Sequence, residues 1–204
     1  PLFYKEYVHP IDTHDRGEAA VAYDPDHQRY FVVYIHDYAG DGSDYDIRGV
    51  FLTADTLTPV SAELHIATSP RSDRDPKVEL STVSDTFLVS WWRVASPTST
   101  SVHGCLVSSV HFGVGAELLI ADHASENRFD PDLAWNPSRD EFAVTYSNTV
   151  DIFVRLVSPP AGIVGDEIAV AAWPDFEAAP AIASCGGADQ YLVAWQSSPN
   201  MNDL

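Results

Sequence analysis

Phe87-Leu88-Val89-Ser90-Trp91 is one of four copies of a single pattern: aromatic, apolar, valine, any residue, aromatic. The others are Tyr30-Phe31-Val32-Val33-Tyr34, Phe142-Ala143-Val144-Thr145-Tyr146 and Tyr191-Leu192-Val193-Ala194-Trp195, and successive copies begin 57, 55 and 49 residues apart. A period of that length is the mark of a repeat architecture. In a strand, side chains alternate between two faces, so Phe87, Val89 and Trp91 share one face while Leu88, Ser90 and Trp92 share the other. Both faces are mostly apolar, which predicts a sheet covered on both sides.

Three more short strands accompany each copy. Before it comes Ala20 to Tyr23, matched by Pro76 to Leu80, Pro131 to Trp135 and Pro180 to Ser184. Proline is read here as the first residue of its strand, where no ladder bond is lost. Asp24-Pro25-Asp26, Asn136-Pro137-Ser138 and Gly186-Gly187-Ala188-Asp189 then supply turn residues. After it come Asp46 to Phe51, Ser101 to Leu106 and Asp151 to Leu156, and then a strand that opens on Glu63, Glu117 or Glu167. No stretch keeps a helical period. Four strands per repeat of about 50 residues predict an all-β chain of the β-propeller class.

The ends decide how the blades are counted. Glu6 to His9 aligns with a fourth strand, and the chain stops at Asp203-Leu204, where other copies begin a third. The expected organisation is one propeller domain over 1–204: a closing strand and linker at 1–16, blades at 17–75, 76–130 and 131–178, and a partial blade at 179–204. Two closures follow from this reading. Glu6 to His9 completes a fourth blade of four antiparallel strands and shuts the ring, or the residues form an arc of a larger propeller.

The pattern resembles the degenerate four-strand β-propeller repeats of bacterial secreted or surface-anchored proteins, in its Pro-x-apolar-Ala, aromatic-x-Val-x-Trp/Tyr, Asp-Ile-x-Gly and Glu-apolar-x-apolar-Ala elements. The resemblance implies a module for binding, adhesion or display and carries over no catalytic residue. The Gly-His and Trp-Asp pairing of WD40 blades and the Ser-x-Asp-x-Gly-x-x-Trp box of sialidases are absent from the sequence.

Composition narrows the partners. Thirty Asp and Glu against 11 Lys and Arg leave a formal charge of -19 in a 204-residue chain that is 45% hydrophobic. Such a surface repels phosphate backbones and anionic lipid, so neither nucleic acid nor membrane insertion is expected. Cys105 and Cys185 are read as small buried hydrophobes rather than a disulfide pair or thiolate cluster. The first residues lack an initiator Met and a signal-peptide order, and the chain reads as a processed or excised piece with an extracellular or cell-surface setting.

The non-repeated stretch Asp37-Tyr38-Ala39-Gly40-Asp41-Gly42-Ser43-Asp44-Tyr45-Asp46 lies between the second and third strands of the first repeat. Asp41, Asp44 and Asp46 offer oxygens at short spacing around a glycine, and calcium is the cofactor they would hold; a solvated hairpin loop is the plain alternative. The recurring Glu63, Glu117, Glu167, Asp85, Asp140 and Asp189 are assigned to strands and turns. The eight histidines show no metal-ligand spacing, and His65 and His103 are placed on the sheet surface. The Ser96 to Ser101 loop is rich in hydroxyls.

Three functions are drawn from this reading. The first is a non-catalytic extracellular module that binds carbohydrate or protein through Asp, Tyr and Trp. The second is a fibre subunit that self-associates by inter-chain strand pairing. The third is a fragment of a secreted propeller glycoside hydrolase, which requires paired acids in a cleft near the axis.

Overall fold

A computed structural model of the chain describes residues 16–96, 99–148 and 150–199. Fourteen strands and no helix occur among them. The first sheet pairs β1 (Arg16–Asp24), β2 (Arg29–Asp37), β3 (Tyr45–Thr53) and β4 (Leu64–Ala67) in that order. The second pairs β5 (Asp73–Ser81), β6 (Thr86–Ser96), β7 (Ser99–Ser108) and β8 (Val114–Ala121). The third pairs β9 (Phe129–Asn136), β10 (Glu141–Ser147), β11 (Ile152–Ser158) and β12 (Gly162–Ala171). A final antiparallel pair is β13 (Phe176–Cys185) with β14 (Gln190–Ser198). Each sheet is a blade, and the first strands form the inner ring, with β1 against β5, β5 against β9 and β9 against β13. This is an all-β propeller architecture. The expected closing strand, Glu6 to His9, lies outside the described residues, as does Asp203-Leu204.

The aromatic strands hold the blades together as their alternation requires. Phe87, Val89 and Trp91 join Phe31, Val33 and Phe51 in one core between the first two blades. Leu88 points the other way, into a core with Phe142, Val144 and Tyr146 of the third blade. Ile182, Tyr191 and Val193 then close on Ala143 and Val154. All four residues Phe87, Leu88, Val89 and Trp91 are fully buried, and burial of such a side chain contributes about 1.5–3 kcal/mol. At the two ends of the stack the same alternation leaves apolar groups in solvent: Val21 and Tyr23 on the first blade, and Leu192 on the last, 73% exposed.

Several sequence expectations need correction. Pro76, Pro131 and Pro180 do not open their strands; β5, β9 and β13 begin earlier and carry each proline inside a β-bulge. A bulge leaves its extra residue out of the ladder, so proline's missing N–H costs no bond there. Glu117 and Glu167 sit within β8 and β12 rather than at their starts. Cys105 is buried as expected, but Cys185 is exposed. His65 is exposed, whereas His103 is buried 2.9 Å from Glu117 rather than on the sheet surface.

Candidate functional site

The bulges of the inner strands bring charged side chains to the axis. In β5, Arg74 pairs with Trp92 and Lys77 with Ser90, so Asp75 and Pro76 together face Trp91. The same two-against-one count puts Glu18 and Ala19 opposite Tyr34, Asp130 and Pro131 opposite Tyr146, and Ala179 and Pro180 opposite Trp195. The first residue of every bulge has a left-handed backbone: φ is 41° at Glu18, 50° at Asp75, 52° at Asp130 and 49° at Ala179. A non-glycine residue in that region is strained by about 1–2 kcal/mol, and aspartate tolerates it better than most. Three blades hold an acid at the strained position.

The first two of these acids are tied together. Glu18 accepts the backbone N–H of Asp75 at 2.7 Å, and its second oxygen lies 3.3 Å from Arg74. Lys77 pairs with Asp75 at 2.6 Å. A cavity of about 290 Å³ opens beside them, lined by Asp75, Lys77, Asp130, Asp132 and Ala179. Asp132 turns one oxygen to the backbone N–H of Ile182 at 2.9 Å, fixing the third blade to the fourth. Burial raises the pKa of Asp130, the negative charge of Asp75 raises it further, and Lys77 acts in the opposite direction. The cleft therefore sets a carboxyl whose pKa is raised beside a carboxylate paired with a lysine.

This ring went unrecognised in the sequence because the fourfold alignment began at the prolines. A signal was present: the residue sixteen positions before each closing aromatic (34 − 18, 91 − 75, 146 − 130 and 195 − 179) is Glu, Asp, Asp and Ala.

A second polar cluster braces the same end of the second blade. Asp73, fully buried, accepts from Trp91 Nε1 at 2.9 Å and from Arg93 Nε at 2.6 Å and Nη2 at 3.1 Å. Arg93 also grips both oxygens of Glu117, at 2.7 and 2.8 Å. Burial pushes Asp73 up to about 6, with Arg93 and Trp91 opposing the rise. The recurring glutamates share one role: Glu63 accepts from the Tyr34 hydroxyl at 2.8 Å and Glu167 from Tyr146 at 2.9 Å, as Glu117 accepts from Arg93. Asp85, Asp140 and Asp189 occupy left-handed turn positions, with φ between 47° and 52°.

Asp41, Asp44 and Asp46 do not converge. Asp41 binds the N–H and hydroxyl of Ser43, Asp46 pairs with Arg48 at 2.6 Å, and Asp44 keeps Oδ1 buried without a donor. Asp37, outside the expected set, organises the loop by accepting from Gly40 and Gly42. Among the described residues no group of three or more His, Cys, Asp or Glu side chains is placed to hold a metal ion.

No family model and no curated protein matches the chain. Solved structures do match its fold. An N-acetylgalactosamine deacetylase from F. plautii, in complex with blood group B trisaccharide, aligns with 85% of this chain and 60% of its own at a TM-score of 0.54 and 12% identity. A thermostable family-43 glycoside hydrolase aligns over 89% of this chain and 65% of its own at 0.55 and 10%. The hydrazine synthase of Kuenenia stuttgartiensis aligns over 87% and 58% at 0.53 and 10%. The chain thus spans less than two thirds of each. Identities this low speak for a shared propeller fold. They also correct the expectation drawn against an enzyme to this extent: all three matched proteins are enzymes, so the fold is one that enzymes use.

Proposed function

We propose that this chain belongs to a carbohydrate-active enzyme and cleaves a glycosidic bond at the axial cleft. The observation that carries the reading is the repeated bulge, which sets Glu18, Asp75 and Asp130 at one register of three adjacent inner strands. Glycoside hydrolysis needs two carboxyl groups in different protonation states on either side of the bond. Asp130, whose pKa is raised by burial and by Asp75, is assigned as the acid that protonates the departing glycosidic oxygen. Asp75, held by Lys77 and by the backbone bond to Glu18, is assigned as the opposing carboxylate. Water supplies hydroxyl to the anomeric carbon and its proton is returned to the acid, so the carboxyl pair is restored. The glycoside hydrolase and the trisaccharide-bound deacetylase among the structural matches favour carbohydrate as the substrate class.

The test is release of aglycone from a panel of aryl pentosides and hexosides by the full chain and by its Asp75→Asn and Asp130→Asn variants. General acid–base groups contribute about 10²–10⁴-fold, so each variant is expected to lose at least about 100-fold in kcat while keeping the native circular dichroism spectrum. Wild-type rates in both variants, or no release from any member of the panel, would refute the assignment.

A further inference from the structure

A cavity of about 460 Å³ lies on the first blade, away from the axial acids, between the Asp37–Tyr45 loop and the connection from β4 to β5. Its size falls within the range of about 300–1,000 Å³ typical of small-molecule sites. Tyr38, Asp44, Asp46, Arg48, His65 and Ser69 line it. Arg48 is only 5% exposed, yet its one side-chain hydrogen bond among the described residues runs from Nη2 to Asp46, and Nε is buried with no acceptor. Asp44 Oδ1 is likewise buried with no donor. Lined by the guanidinium of Arg48 and the carboxylates of Asp44 and Asp46, the cavity suits a ligand with hydroxyl groups, because a hydroxyl both donates and accepts. Tyr38, 64% exposed, offers a ring face at the mouth.

Charge selects among ligands. The carboxylates of Asp44 and Asp46 oppose an anion, and the guanidinium of Arg48 opposes a cation. A neutral, hydroxyl-rich ring satisfies both and stacks on tyrosine. The pocket also shares an end of the propeller with the axial cleft: β1 begins, β2 ends and β3 begins there. Arg74 joins the two regions, paired with Glu18 at 3.3 Å and lying 3.8 Å over the ring of Tyr45.

We propose that the first-blade pocket is a second carbohydrate subsite, holding one neutral sugar unit of a chain that continues toward the axial cleft. The carbohydrate reading of the preceding section underlies this assignment, but different residues carry it. The experiment is calorimetric titration of the full chain with pentose and hexose trisaccharides and pentasaccharides, in calcium and in chelator. It compares wild type with Tyr38→Ala, an exposed site that leaves the core intact, and Asp44→Asn. Both variants are expected to weaken oligosaccharide binding by about tenfold, the worth of one aromatic or hydrogen-bonding contact, while aryl glycoside release is unchanged. Binding unaltered in both variants, or no binding by wild type to any of the series, overturns the subsite. Calcium uptake that Asp44→Asn abolishes, with no sugar bound, overturns it in favour of a cation. Loss of aryl glycoside release only in the Asp75 and Asp130 variants, with Tyr38→Ala still binding fully, leaves the catalytic reading standing without the subsite. Weakened binding in Tyr38→Ala without any glycoside release does the reverse.

Discussion

Replacing Arg93 by methionine keeps a long apolar stem and deletes five donors. In the native blade those donors serve both oxygens of Asp73 and both of Glu117. Asp73 has no access to solvent and would be left with two neutral donors, the Trp91 indole N–H at 2.9 Å and the Ser69 hydroxyl at 3.3 Å. Removing one partner of a buried ion pair costs about 3–5 kcal/mol, because the other charge stays buried and uncompensated. For a chain of this size that is a fall in Tm of roughly 6–20 °C, at about 2–4 °C per kcal/mol. The assay is urea unfolding followed by tryptophan fluorescence, since Trp91 is fully buried beside the lesion. Acidity adds a signature of its own. Burial raises the folded-state pKa of Asp73 to about 6 from 3.8, so between those values the native state binds more protons than the unfolded chain. Stability contributed by this group therefore falls as pH rises from about 4 to about 6. Without Arg93 the carboxyl rises further and the fall continues to higher pH. The gap between wild type and Arg93→Met should then widen from pH 4 to pH 8. A gap under about 1 kcal/mol, or one independent of pH, would refute the reasoning.

Other outcomes follow from packing. Gly104→Val should cost at least about 1–3 kcal/mol by overpacking, because even a Cβ at this site would stand 2.7 Å from the Ile120 side chain and 3.2 Å from the Val89 carbonyl oxygen; chemical denaturation measures it. Tyr146→Phe leaves Glu167 without the hydroxyl it accepts from at 2.9 Å and should cost about 1.5–3 kcal/mol by the same assay, as for a hydrogen bond to a charged group. Phe87→Ala should cost about 3–5 kcal/mol, while Leu192→Lys, at a position 73% exposed, should stay within about 0.5 kcal/mol. Thermal melts of that pair test whether the two faces of an aromatic strand differ as the blade order requires.

The blades were legible because their cause is periodic. Phe87, Val89 and Trp91 alternate with Leu88 and Ser90, and alternation alone says that a neighbour covers each face. Which neighbour covers which face follows from the order of the blades, and the structure puts the Phe31 core on one side of Phe87 and the Phe142 core on the other side of Leu88. The axial acids were not legible in the same way. Their placement depends on a bulge, and a bulge is a count of two residues against one on a different strand, which the chain's own periodicity does not display. Proline conceals the effect: Pro76 and Pro131 read as strand starts, which puts the acids just before them at the ends of the preceding blades, 17–75 and 76–130. In the first blade Ala19 stands where the others have proline, so Glu18 lacked even that cue. The calcium expectation rested on local spacing, and spacing says nothing of competing partners. Ser43 and Arg48 each engage one of the three carboxylates.

The polar clusters show why recurring residues in a repeat need not be equivalent. Glu63, Glu117 and Glu167 all accept from the strand two away, yet the donors are a tyrosine, an arginine and a tyrosine. In the second blade that donor ties the glutamate to buried Asp73 in one ion network, whereas in the third Glu167 adds a pair with buried Arg128 at 3.3 Å. Lys77, also of this blade, lines the axial cleft, and Asp73 anchors the network on the same strand, β5, that carries Asp75 and its lysine.

The claim on which the proposed chemistry rests is that Asp75 and Asp130 share one electrostatic site. Carboxyl ¹³C NMR titration of Asp130, in the wild-type chain and in Asp75→Asn, tests it without knowledge of the substrate. The account predicts a titration midpoint above the ordinary aspartate range in wild type and a lower midpoint once the Asp75 charge is removed. An Asp130 that titrates like a free aspartate, or at the same pH in both proteins, would contradict it.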